Sequence, residues 1–441
     1  MTAQILRAQY PKFIYEKFNY KIAGGNVETE FFYSIPPDHE FVHRISFLNI
    51  SEPPTTNHEL LEPLIFHLGL SKMFSYWKTT CSPLIEIRAR HLSPDQTAFW
   101  HKLFIKGMGE YFYKNQIDFS SPDFLVIQNA GRPGKSRAIM PPRAKSRGAR
   151  EHDLSASRVL IPIGGGKDSI VTLELLKPHF AITPFTINPV PIMLDVSRTA
   201  GFPHPVTVRS EIDPYLLNLN RQSYLNGHVP VTAAHIFTSL LAAALNNCRF
   251  IAFSNERSSD EGNVSYLGHT INHQYSKTLE FETDISKYLI KNLKFKIKNF
   301  SFLRPLYELQ ITKLFSRYPQ YFQVFSSCNT NFKLDPRQHP QSGLWCKTCP
   351  KCVSTALLLT PFIGNDKVIE IMGAYPPDLP QNLEILIELL GQKPVKPFEC
   401  VLTRAEAQAA YTDQGLDKLL SSWLENPNMP PRFAQILKHA V

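Results

Sequence analysis

Apolar and polar residues alternate early in the chain, and residues 28–34 and 42–48 read as strands with one buried face. Helical spacing follows at 60–68 and 95–113, so residues 1–131 are expected to form an N-terminal α+β domain. From residue 159 the pattern changes to short unbroken apolar runs between helical segments. Residues 159–163, 182–187 and 250–253 read as buried strands, and 169–176 and 232–246 as helices. Such alternation predicts βαβ units around a parallel sheet, an α/β domain over residues 158–362. Residues 363–441 are expected to be a small helical region, with helices at 382–390, 404–411 and 416–424.

Composition excludes a disordered chain: of 441 residues, 43% are hydrophobic, 12% aromatic and only 19% charged. A net charge of +9 would suggest a nucleic-acid partner if it were spread over the surface. It is not spread. Arg132, Lys135, Arg137, Arg143, Lys145, Arg147, Arg150 and Arg158 face only Glu151 and Asp153 in a stretch rich in Gly, Pro, Ser and Ala. Residues 132–157 are therefore expected to be a basic flexible linker, either a solvated connector or a contact for an anionic partner, and nucleic acid is not the expected ligand.

The first 25 residues carry Arg7, Lys12, Glu16 and Lys17 without an apolar run, and the apolar stretch 178–194 is broken by Pro178, Pro184, Pro189 and Pro191. Neither a secretory signal nor a membrane span is expected. Seven cysteines, an odd number in a chain without a signal, point to a reducing compartment, so a soluble cytoplasmic protein is expected.

The strongest chemical signal follows the strand at 159–163: Gly164, Gly165, Gly166, Lys167, Asp168 and Ser169, then a helix. Three glycines let backbone N–H groups approach an anion, and the helix adds the positive end of its dipole. Lys167 and Ser169 can donate to phosphate oxygens, and Asp168 fits a site where Mg²⁺ bridges to the phosphates. The spacing is neither a Walker A loop nor a dinucleotide fingerprint. It resembles the SGGxDS motif of the PP-loop ATP pyrophosphatases, with Gly164 where a serine is usual. That resemblance implies an adenine nucleotide alpha hydrolase-like, Rossmann-like fold and an ATP site.

Cys346, Cys349 and Cys352 form a CxxCxxC run, and Cys328 upstream can complete a Cys₄ site. Such a site is structural, and zinc, an iron–sulfur cluster or free thiols all remain open. Cys81, Cys248 and Cys400 stand alone and read as small buried hydrophobes.

Polar residues crowd the C-terminal end of the strand at 250–253, where open α/β sheets bind ligands. Asn255, Glu256, Arg257 and Ser258 lie there, and His273, Tyr275 and Lys277 follow shortly after. Glu280 and Glu282 fit the solvated face of an amphipathic helix.

The segments GGGKDS, SNERSSDEGN, NHQYSKTLEFE, FLRPLYEL and WCKTCPKC, in this order, resemble those of the UDP-N-acetylmuramoyl-L-alanyl-L-glutamate epimerase family, MurL. Weaker similarity extends to residues 68–78, 104–113 and 396–401, but not to the basic linker. The resemblance implies ATP- and Mg²⁺-dependent inversion of the terminal L-Glu of UDP-MurNAc-L-Ala-L-Glu through an acyl-adenylate, releasing AMP and pyrophosphate. A base and an acid on opposite faces are expected among Glu256, His273, Tyr275 and Lys277. Arg257 is expected to hold an anionic group of the substrate, with Asn255 and Ser258 beside it. Two alternatives are a PP-loop enzyme modifying tRNA or a nucleobase, by thiolation or as a 7-cyano-7-deazaguanine synthase, and a module that binds ATP without cleaving it.

Overall fold

The computed structural model of the chain describes residues 1–48, 50, 58–131, 137–139, 155–293, 296–333, 336–340 and 343–441. An antiparallel meander opens the fold: β1 (Lys12–Ala23), β2 (Asn26–Ile35) and β3 (His39–Leu48). In β2 the period of two is visible directly, with Val27, Thr29, Phe31, Tyr33 and Ile35 all buried. β4 (Leu84–Ile87) pairs in parallel with β1, β5 (Val126–Asn129) with β4, and β6 (Arg137–Ile139) with β1. Residues 137–139 and 155–157 apart, the basic stretch at 132–157 lies outside the described residues.

The second half of the sheet comprises β7 (Ser155–Pro162), β8 (Ala181–Ile187), β9 (Val206–Glu211) and β10 (Cys248–Phe253). The hairpin β11 (Val264–Tyr266) and β12 (His269–Ile271) stands apart, and β13 (Lys298–Ser301) completes the set. The spatial order is β13-β10-β7-β8-β9, all parallel. Strand order therefore reverses beside β7: the chain leaves it towards β8 and β9, then returns to its other side at β10. In a doubly wound sheet the ligand crevice lies at that reversal, off the carboxyl ends of the strands.

Side-chain alternation in β7 explains how both faces are covered. Leu160 joins a core shared with the helix Val231–Leu245, while Val159 and Ile161 join a second core with the helix Lys167–Leu176. The last strand of the parallel block, β9, pairs antiparallel with β3 from Leu48↔Thr207 to Arg44↔Glu211. One mixed α/β sheet of eleven strands thus runs through both halves among the described residues. Joining the two removes an open edge from each.

The helix Pro350–Met372, broken at Gly364 (φ 76°), leads into a helical C-terminal region. It packs in a third core with Leu386, Leu389, Leu402 and Ala407, contributed by the helices Leu383–Leu389 and Arg404–Thr412 and the segment between them. A short helix, Leu416–Leu420, and a final one, Pro431–Ala440, follow; the sequence reading ran the first on to residue 424 and missed the second. No helix among the described residues is long and apolar enough to cross a membrane.

Candidate active site

The glycine loop leaves β7 at the strand-order reversal. Gly165 has φ +82°, and a Cβ there would stand 2.6 Å from Ile192 Cγ2, so both backbone and space demand glycine. Gly164 faces open space. Gly166 is the N-cap of the helix Lys167–Leu176 and supplies no side-chain cap, which leaves first-turn N–H groups available to an anion. Ser169 Oγ donates to the Gly166 carbonyl at 3.0 Å and so braces the loop from within.

Lys167 does not reach outward. Its side chain is buried, and the ammonium contacts Asp168 Oδ1 at 2.5 Å and the Glu308 carboxylate. Burial works against that cation, but Asp168 and Glu308 outweigh it and hold Lys167 above its ordinary range. Glu256 completes the group: ligand oxygens of Asp168, Glu256 and Glu308 all lie within 4.8 Å of one another. Burial, with repulsion from Glu308 and Glu256, pushes Asp168 up to about 6 despite Lys167. Three converging carboxylates offer hard oxygen donors, which suit Mg²⁺ or another hard divalent cation.

Arg304 fixes the loops that carry Glu256 and Lys277. It is fully buried; Nη1 donates to the Glu256 carbonyl and to Ser259 Oγ at 2.9 Å, and Nη2 donates to the Lys277 carbonyl. The neighbouring candidates are also held by protein partners. Asn255 donates to Ser301 Oγ at 3.0 Å, and Ser258 donates to Glu406 Oε2 at 2.6 Å while accepting from the Glu308 N–H at 3.1 Å. Arg257 lies over the Tyr307 ring at 4.4 Å, donates to Ser422 Oγ at 2.8 Å and stays partly exposed.

A second polar cluster faces the carboxylates through Lys277. Lys277 is within electrostatic reach of Glu256 and Asp168, and its Nζ donates to Cys400 Sγ at 3.3 Å. The His273 side chain faces Cys400 electrostatically, and its Nδ1 lies 2.5 Å from Glu110 Oε2. His228 packs against His273 with ring centroids 4.1 Å apart and the rings tilted at 43°; burial, reinforced by His273, pushes it down to about 3. Lys351 donates to the Cys400 carbonyl. Tyr275 lies elsewhere: it packs on Phe281 and lines a cavity of about 610 Å³ with Lys106, Asp260, Asn272 and Glu280.

The sequence reading missed Glu308, Glu110, Lys351 and Cys400, and it set Cys400 aside as a buried hydrophobe. Cys81 and Cys248 are fully buried, but Cys400 is partly exposed and held by charged neighbours. Its one signal was membership of the 396–401 segment quoted for the family resemblance.

The four clustered cysteines do converge. Sγ separations are 3.5 Å for Cys349–Cys352, 3.8 Å for Cys346–Cys352 and 3.9 Å for Cys328–Cys349. A tetrahedral ion with thiolates at about 2.3 Å sets its sulfurs about 3.8 Å apart, so the spacing fits a single ion, whereas a cubane spreads its thiolates over separate irons.

Residues 4–302 match the MurL N-terminal domain and residues 324–427 the MurL C-terminal domain. A Micromonospora protein named UDP-N-acetyl-alpha-D-muramoyl-L-alanyl-L-glutamate epimerase is 34% identical over 398 residues, covering 88% of this chain and 83% of the relative. Proteins of the same name from Salinispora tropica and Xanthomonas oryzae pv. oryzae are 33% and 32% identical, over 94% and 76% of this chain and 86% and 71% of their own lengths. No solved structure matches. With both domains matched in order over most of the chain, and named epimerases 33–34% identical to it over most of their length, the chain belongs to the MurL family.

Proposed function

We propose that this chain inverts the terminal L-glutamate of UDP-MurNAc-L-Ala-L-Glu to D-glutamate, cleaving ATP to AMP and pyrophosphate through an acyl-adenylate. The observation that carries this reading is the carboxylate trio at the mouth of the glycine-loop helix, one lysine away from the His273–Cys400 pocket. The names of the relatives supply the substrate.

The chemistry needs both parts. An α-proton beside an ionised carboxylate resists removal, because the carbanion would put a second negative charge next to the first. Adenylation cancels that charge and lets the acyl carbonyl take up the electron pair, which brings the proton within reach of an ordinary base. The glycine-loop N–H groups suit the phosphates of ATP, and the strand order with its reversal at β7 supports placement among the PP-loop ATP pyrophosphatases.

Asp168, with Glu256 and Glu308, would hold Mg²⁺, which when bound neutralises charge on the departing pyrophosphate. Cys328, Cys346, Cys349 and Cys352 would hold a structural Zn²⁺. His273 and Lys277 would serve proton transfer, and the partly exposed Arg257 would receive an anionic group of the substrate. A reaction on a nucleotide-linked precursor of peptidoglycan, driven by ATP, belongs in the cytoplasm.

Incubation in D₂O with ATP, Mg²⁺ and the UDP-linked dipeptide tests the proposal. Deuterium at the glutamyl α-carbon together with AMP and pyrophosphate is expected; absence of all three would overturn it.

A further inference from the structure

Among the described residues, seven cysteines divide by environment: four converge on one point, two are fully buried, Cys81 against Arg7 Nη1 at 3.5 Å and Cys248 against Thr183 Oγ1 at 3.5 Å, and Cys400 alone combines partial exposure with Lys277 and His273 facing its sulfur. Its sulfur accepts from Lys277 Nζ at 3.3 Å and electrostatically faces His273, whose Nδ1 lies 2.5 Å from Glu110 Oε2. Lys351 anchors the Cys400 backbone, and the adjacent Glu399 carboxylate is turned to accept from Asn329. Lys277 also faces Asp168 and Glu256 electrostatically, and Lys351 and Lys277 both act on Glu308. Lys277 therefore links the thiol to the carboxylates at which the adenylate would form.

We propose that the Cys400 thiolate exchanges the α-proton on one face of the glutamyl residue. The assignment rests on the epimerase reading above. The sulfur lone pair takes the proton as the Cα–H bond breaks, and the freed electron pair moves onto the acyl carbonyl oxygen. A proton added to Cα from the opposite face completes inversion, and the Cys400 thiol resets by losing its proton to water. The surroundings favour the thiolate: burial raises the thiol, but Lys277, His273 and Lys351 outweigh it and bring Cys400 down to about 7. A sulfur held between two cations can accept a proton at neutral pH and return it without a large energetic gap.

Cys400→Ala and Cys400→Ser in the full chain test this through two readouts. The first is ATP–pyrophosphate exchange in the presence of the UDP-linked dipeptide, which reports adenylation. The second is α-deuterium incorporation in D₂O, measured from the L-Glu and the D-Glu epimers separately. Adenylation is expected to persist within about tenfold of the unsubstituted chain, while inversion falls roughly 10²–10⁴-fold, the usual contribution of a positioned acid or base. Exchange is expected to survive for one epimer only, since the opposite face keeps its own group.

Exchange into both epimers at near the original rate would overturn the assignment, and so would joint loss of adenylation and exchange. If the unsubstituted chain itself exchanges no deuterium, the epimerase reading fails instead. Alkylation by iodoacetamide, followed at Cys400 by peptide mass analysis, gives an independent check. Labelling that rises with pH around 7 and is blocked by substrate with ATP supports the assignment, and labelling indifferent to substrate opposes it.

Discussion

Ser326 donates its backbone N–H to the Gly165 carbonyl at 3.1 Å, only two residues before Cys328. The next residue, Ser327, brings its Oγ to 3.1 Å from where a Gly166 Cβ would stand. The cysteine cluster and the glycine loop are thus two ends of one short tether, and Lys351, between Cys349 and Cys352, ties the same cluster to Cys400.

Metal removal should therefore be felt at the nucleotide. Purified protein is expected to carry about one equivalent of zinc, and Cys328→Ser or stripping with a strong chelator should weaken ATP binding as well as lower Tm. Elemental analysis with nucleotide titration by calorimetry checks this. Unchanged ATP affinity in metal-free, folded protein would break the link.

The two loop glycines should separate. Gly165→Ala meets both a positive φ and Ile192, and is expected to destabilise by about 1–3 kcal/mol and abolish ATP binding. Gly164→Ala enters open space and should leave Tm within about 1–2 °C, because it adds a methyl with nothing to strike. Thermal melts with and without ATP distinguish them.

Glu308→Gln should stop pyrophosphate release as thoroughly as Asp168→Ala, because the two carboxylates share Lys167 and lie in the same trio. Lys277→Met should behave differently, keeping pyrophosphate release and losing α-deuterium exchange. A coupled pyrophosphate assay run beside deuterium incorporation reads both. Equal loss in all three variants would refute the division of labour.

The pH dependence of inversion follows from the Cys400–His273 pair. Cys400 must be deprotonated, which sets a rising limb near 7. His273 must stay protonated to hold it; burial opposes that cation, but Cys400 and Glu110 keep it charged up to about 9, which sets the falling limb. The other groups facing the pair are Lys277 and Lys351 at Cys400, and Glu399 and His228 at His273. Glu110→Gln should move the falling limb to lower pH and leave the rising limb nearly in place. Initial rates across pH 5.5–10 measure this, and a flat profile between 6 and 10 would contradict the pairing.

What could be read from sequence was whatever is local. The glycine loop, the CxxCxxC run and the polar block after β10 each declare themselves within about ten residues, and β7, β8 and β10 were visible as buried apolar runs. Glu308, Glu110 and Cys400 lie in separate segments with no spacing that marks them, and only the fold brings each to its partners. Spacing likewise left open which way Tyr275 turns, two residues from both His273 and Lys277. The β3–β9 pairing was equally invisible, since a strand edge that will be covered looks the same in sequence as one that stays open.

That pairing has a consequence for how the chain is made. β3 leaves the ribosome early, but its partner β9 lies roughly 160 residues later in the chain. At about 5–20 residues per second, the β3 edge waits on the order of ten to thirty seconds for its neighbour. During that interval the nascent meander presents a ready template to other strands. Slower synthesis lengthens that exposure, so bound chaperone, more than a reduced translation rate, is what should raise the yield of folded protein.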